Sequence, residues 1–208
     1  MNGNLYEERG EDRRIRKSKK ALQEALIRLL SKKSIGEITI KELTDEADVH
    51  RGTFYHHYAD AMDLKVQTER EIAEQLTEIL SSVPQSRLEQ GPYPLLVRVL
   101  EYLEDNREIA KMLASEHGAP WLMEELCTGI SERCLGTQLF GEQLRFNRYK
   151  PEGVAVLTTR VPLFGISAAG LREMLVSWIE DGMRMAPGEM ARIMERMMGS
   201  QSPTAMSR

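Results

Sequence analysis

Two cysteines, eight prolines and an aromatic share of 6% leave several protein classes without material. Cys127 and Cys134 are too few for a disulfide scaffold and suit a reducing compartment. On one helix they would stand about 10 Å apart at ~1.5 Å rise per residue, beyond the reach of an intramolecular disulfide. The simple reading is a pair of ordinary buried thiols; a redox link between subunits is the other. No run has the apolar length of a membrane span, and the first twenty residues lack the apolar centre of a signal peptide. A cytoplasmic protein with no membrane partner is expected. There is no P-loop, no Gly-rich dinucleotide fingerprint, no G-x-S-x-G and no H-E-x-x-H. Catalysis is therefore not expected, nor is a cofactor.

What is present is a 41% hydrophobic content, enough for a proper core, together with 12 methionines and little β-branched alternation. An all-α protein follows. The formal net charge of −4 conceals an asymmetry. Between Arg9 and Lys33, ten Lys/Arg face three acids, an excess of +7; from Val66 onward 15 basic residues face 20 acidic ones, a balance of −5. A basic N-terminus on an acidic body suits contact with a polyanion.

Residues 1–12 show no periodicity and read as a flexible lead-in. From Arg13, the apolar positions Ile15, Leu22, Leu26 and Leu29/Leu30 recur at helical spacing to about Lys33. Thr39-Ile40-Lys41-Glu42 fits a capping box opening a second helix, with Ile40, Leu43 and Ala47 on its inner face. A break at Asp48-Val49 precedes a short helix from about His50 to Tyr58. Asp60 is the expected cap of a fourth helix reaching Leu80, about 30 Å long at the standard rise. Residues 81–94, with three Pro, a Gly and three Ser, form the clearest break. Helical patterns follow at Leu95–Glu104, Asn106–Ser115 and Pro120–Leu135. A long helix from Gly153 to Asp181 should be kinked at Pro162 and capped by Gly182. Pro187 starts a last helix with Met190, Ile193, Met194 and Met197 as its stripe, and 200–208 read as a disordered tail.

The stretch "ITIKELTDEADVHRGTFYHHY", Ile38 to Tyr58, crowds three His, two Tyr and one Arg into its last nine residues. A core rejects such side chains, and a solvated loop has no use for so many aromatics. Two short helices around a tight turn, behind a basic helix, meet the needs of a helix-turn-helix. Arg51, Thr53, Tyr55 and His56 form its outward face, while Phe54 and Tyr58 fall opposite as anchors. A metal site from His50, His56 and His57 is disfavoured, because adjacent helical residues point about 100° apart and no recognised ligand spacing is present.

This stretch closely resembles the DNA-binding domain of the tetracycline-repressor (TetR) family: Thr, a short helix, Ala-x-Val, a variable helix, then Tyr-x-His followed by Phe or Tyr. The resemblance is specific over about residues 13–66. It implies an N-terminal helix-turn-helix DNA-binding domain (13–65) and a C-terminal helical ligand-binding and dimerisation domain (66–199). By it, Thr39, Thr53 and Tyr55 would contact phosphates, with His50, Arg51 and His56 near bases or backbone. His57 would position the recognition helix, and Gly52 would permit a close approach. One departure stands out. Where the family often places a phosphate-binding Lys at the start of the fourth helix, this chain has Ala61 between Asp60 and Asp63. Lys65 and the basic first helix are the candidates to compensate; a relative that binds a partner regulator instead of DNA is the alternative.

The resemblance also implies a homodimer on a palindromic operator, its last two helices forming the interface. Gly165, Ala169, Trp178, Met190, Met194 and Met197 are candidates for that surface, which is the favoured reading over intrachain packing of the small residues. Tyr102, Met112, Trp121, Cys127 and Phe164 are candidates to hold a small-molecule effector, or simply core. Trp121 lies just past His117, which reads as a loop or helix-end residue in "SEHGAPW".

Overall fold

A computed structural model describes residues 4–134 and 168–199, with side chains over 14–134 and 168–198. Among the described residues every element is helical, and no helix is long and apolar enough to cross a membrane. They divide into two compact units.

The first unit holds the described residues up to Ile72 together with Lys111–Pro120. Helix α1 runs Asn4–Leu30, a 3₁₀ turn Ile35–Glu37, α2 Ile40–Ala47, α3 Arg51–His57 and α4 Ala61–Ser81, whose last residues belong to the second unit. The start of α1 at Asn4 corrects the expectation of a non-helical lead-in. Residues 4–13 show no apolar periodicity, but they lack Pro and are rich in Glu and Arg, whose helix propensity is high. Leu22, Ala25, Leu26 and Leu30 of α1 are completely covered, as are Leu43 of α2, Phe54 of α3 and Leu64 of α4. Full burial of a side chain such as Phe54 contributes roughly 1.5–3 kcal/mol. Two ion pairs clamp α1 to α2: Arg28–Glu46 at 2.7 Å and Lys33–Glu42 at 2.5 Å.

The second pair corrects the capping box expected at Thr39. The Thr39 hydroxyl does accept from the Glu42 amide at 3.2 Å, but the Glu42 carboxylate goes to Lys33. A reciprocal carboxylate instead appears one turn earlier, where Glu37 accepts from both the amide (2.9 Å) and the hydroxyl (2.6 Å) of Ser34. Those two bonds hold the Glu37 carboxyl below the ordinary carboxylate value. At the end of α2, Asp48 adopts the left-handed conformation (φ 51°), and the Val49 amide reaches back to Thr44 carbonyl oxygen at 3.0 Å. Asp tolerates that conformation better than most non-glycine residues, so the chain can reverse within two residues.

The second unit holds Ala73–Ala110 and the described residues from Trp121 onward. Its helices are α5 Gln85–Leu88, α6 Tyr93–Asp105, α8 Pro120–Cys134, α9 Ala168–Glu180 and α10 Pro187–Gly199, while α7, Arg107–Ala114, divides between the units. The break expected over 81–94 thus contains the one-turn helix α5. Helix α10 packs on α6, which buries Leu95, Leu96, Val99, Leu100 and Leu103. Gly182 ends α9 with φ 78°, and the Met183 amide returns to Trp178 carbonyl oxygen at 2.9 Å. The expected helix from Gly153 with its Pro162 kink lies outside the described residues, apart from its last part, α9.

Candidate nucleic-acid interface

Helix α3 has seven residues, and both ends are fixed by imidazoles. At the N-terminus His50 is the cap: its Nδ1 accepts the Gly52 amide at 3.1 Å. At the C-terminal end, His57 Nε2 lies 3.2 Å from the Ser18 hydroxyl of α1. Ser18 has a single hydroxyl hydrogen, and the carbonyls of Arg14 (3.1 Å) and Ile15 (3.0 Å) compete for it. With Nε2–H as the donor to Ser18 Oγ, the hydroxyl is left to serve a carbonyl and both contacts are satisfied. Burial, then His56 and Lys19, depress the His57 pKa below its ordinary value.

The helix divides as its 3.6-residue period requires. Phe54 and Tyr58, four residues apart, turn inward with 0% and 2% exposure. Burial, then Glu71 and Asp63, push the Tyr58 hydroxyl up to about 12, so it stays neutral. On the other side His50, Arg51, Gly52, Tyr55 and His56 are exposed, Tyr55 at 49%, and Thr53 is half-covered. Arg51 and Tyr55 hold each other: Arg51 Nη2 donates to the Tyr55 hydroxyl at 3.1 Å, and the guanidinium lies 5.5 Å from the ring centroid. This orders two long side chains before any ligand arrives. Thr39 is exposed at the start of α2, beside exposed Lys41. Arg14 and Lys17 stand exposed on α1.

Two site residues behave otherwise than the sequence suggests. Lys65 makes a 2.5 Å pair with Glu69, their side chains 17% and 8% exposed, so its ammonium is already engaged. At Gly52 no other helix comes near; an added Cβ would meet only the His50 ring, 3.2 Å from Nδ1. The acidic start of α4 is closed upon itself. The Asp63 amide donates to Asp60 Oδ1 at 2.8 Å, and the Ala59 amide to Asp63 Oδ2 at 2.9 Å. The expected cap at Asp60 is there, and it leaves two carboxylates flanking Ala61. Sequence reasoning missed Ser18, because a serine within a basic helix carries no signal of the histidine it will meet.

The residues nominated for the other roles are dispersed. Met112 and Cys127 are fully covered, Tyr102 is half-covered with its hydroxyl donating to Gln75 Oε1 at 2.8 Å, and Trp121 is 40% exposed. Both cysteines are free, and burial pushes each thiol up to about 12, away from thiolate chemistry. His117 is exposed in the turn between α7 and α8. Trp178, Met190 and Met194 are buried within their own unit, at 5%, 7% and 0% exposure. Ala169 is exposed and Met197 is 47% exposed. Phe164 and Gly165 lie outside the described residues. Among the described residues no group of three His, Cys, Asp or Glu could hold a metal ion.

No family profile matches the chain. It is 32% identical over 141 residues to the uncharacterized HTH-type transcriptional regulator YxbF of Bacillus subtilis (strain 168), an alignment covering 65% of this chain and 36% of that protein. The chain thus spans little more than a third of the curated relative it matches. Among solved structures, the dihydroxyacetone kinase operon activator DhaS superposes with a TM-score of 0.47 at 14% identity, over 85% of this chain and 91% of that one.

Proposed function

We propose that this chain is a sequence-specific, DNA-binding transcriptional regulator of the tetracycline-repressor type, reading its operator with α3. The observation that carries the reading is the division of α3. Phe54 and Tyr58 are sunk in the unit, while Arg51, Tyr55 and His56 stand outward beside the exposed cations of α1 and α2. Phosphate contacts from Thr39, Thr53, Tyr55 and Lys41 would set the register, and Arg51 would supply the base contact. The likeness to a regulator named for its helix-turn-helix supports this.

In this proposal the regulator is a homodimer, because two recognition helices about 34–36 Å apart enter successive major grooves of a palindrome. Ala169 and Met197 would meet the second chain, with Trp178, Met190 and Met194 as the packed floor beneath them. A small-molecule effector that favours one packing of the second unit would release the operator, making the protein a repressor; such coupling is typically worth ~1–3 kcal/mol.

The test is binding of the full chain to DNA upstream of its own gene over a salt series. Saturable binding with a steep negative salt slope is expected, and Arg51→Ala should weaken it by about 1–3 kcal/mol while leaving Tm unchanged. Equal affinity for unrelated DNA would sink the reading. One observation favours a second reading, an interaction protein that binds another regulator. Asp60 and Asp63 flank Ala61, and Lys65 is engaged by Glu69. Absence of any DNA binding at low salt, with a folded dimer in sedimentation, would select it.

A further inference from the structure

The second unit carries a surface cleft of about 660 Å³ lined by Arg87, Gln90, Tyr93, Pro94, Arg192 and Glu195. Its walls are the corner between α5 and α6 on one side and α10 on the other. Two glycines border the cleft. Gly91 has φ 139°, where an L side chain is strained, and a Cβ there would lie 2.9 Å from Glu195 Oε1. A Cβ at Gly188 would lie 3.3 Å from the Tyr93 hydroxyl.

The chemistry of the lining is lopsided. From Val66 onward the chain is acidic overall, yet this cleft presents two guanidiniums against one carboxylate. Among the described residues, neither Arg87 nor Arg192 makes an ion pair, and no side-chain hydrogen bond engages Gln90 or the Tyr93 hydroxyl. The one interaction in the group is Arg192 over the Tyr93 ring, 6.0 Å from guanidinium carbon to centroid. Four donor groups thus border one concavity with no acceptor assigned to them. The volume falls within the range of small-molecule sites, about 300–1,000 Å³.

We propose that this cleft binds a small organic oxyanion, a carboxylate or a phosphate ester. Guanidinium planes match either group through paired N–H donors. The Tyr93 hydroxyl and Gln90 amide complete the donor set, and the Tyr93 ring with Pro94 offers a flat apolar surface to the rest of the ligand. Glu195 limits the affinity by repelling the anion. The lining residues all belong to the second unit, and the proposal stands whether or not α3 meets DNA.

The experiment is calorimetric titration of the full chain with sodium benzoate, sodium acetate and inorganic phosphate at constant ionic strength. Saturable binding is expected, benzoate tighter than acetate because of the ring surface. Benzoate ahead of phosphate assigns carboxylates; the reverse order assigns phosphate esters. The R87A/R192A double variant should weaken binding at least about tenfold, as loss of charged hydrogen bonds does. E195Q should tighten it, a change that a merely damaged fold would not produce. No saturable binding of any of the three anions, or the same affinity in the double variant, would overturn the proposal.

Discussion

Helix α3 turns its distinctive residues outward, whereas α10 turns most of its own inward. In α3, Arg51, Tyr55 and His56 are exposed around a minimal anchor of Phe54 and Tyr58. In α10, Met190, Ala191 and Met194 are buried and Met197 alone of the stripe is largely open. The difference lies in the side chains. Charged and hydroxylated groups carry a desolvation penalty that forbids one of two placements, but a thioether packs equally well in a core or against a second chain. A pattern of polar aromatics therefore dictates its own environment, and a methionine stripe leaves it to the neighbours.

The largest expected effects fall on the buried members of each helix. Phe54→Ala should destabilise the first unit by about 3–5 kcal/mol, and Met194→Ala the second by about 2–5 kcal/mol, measured by denaturant unfolding. The contrast sharpens if the Met194 variant loses stability equally at all protein concentrations. It breaks if the loss vanishes on dilution, since Met194 would then matter only between chains. A smaller effect concerns the cap of α3. His50→Ala should cost about 0.5–2 kcal/mol, and His50→Asn should recover most of it, because an amide oxygen can accept the Gly52 N–H. Equal losses in both variants would show that the bond to Gly52 does not hold the helix.

The smallest effect is a pH dependence. His57 has a depressed pKa in the folded state, so below about 6.5 the unfolded chain binds the additional proton and the folded one resists it. Its contribution is complete above about 6.5 and declines as the pH falls. Thermal unfolding at pH 7.5 and 5.5 should show a smaller difference in His57→Gln than in the parent protein. An undiminished difference would place the sensitivity elsewhere. Helix α10, which contains no histidine, should show none of it.

The starts of α2, α4 and α10 were legible because their signals are local: Thr39 and Asp60 accept amides three residues on, and Pro187 sets φ at the first helical position. The anchors Phe54 and Tyr58 were legible from spacing alone. What escaped was which of several available partners a polar side chain takes. Glu42 could serve its own helix or Lys33, and only the approach of α1 decides. Lys65 reads as a free cation until Glu69 is folded against it. His50 reads as a contact residue, yet it completes its own helix. The early start of α1 escaped for another reason: residues 4–13 carry no apolar period in the sequence, only helix-favouring Glu and Arg.

The capping of α3 bears on how such a protein changes over time. His50 and Asp48 fix its beginning, Ser18 and Tyr58 its end, and Phe54 its depth. None of these tasks falls to Arg51, Tyr55 or His56. Those three positions can be exchanged at little cost to the frame, as exposed sites generally can. The motif resembles an address label fixed at its edges, on which the writing can drift under selection while the helix beneath it stays where it is.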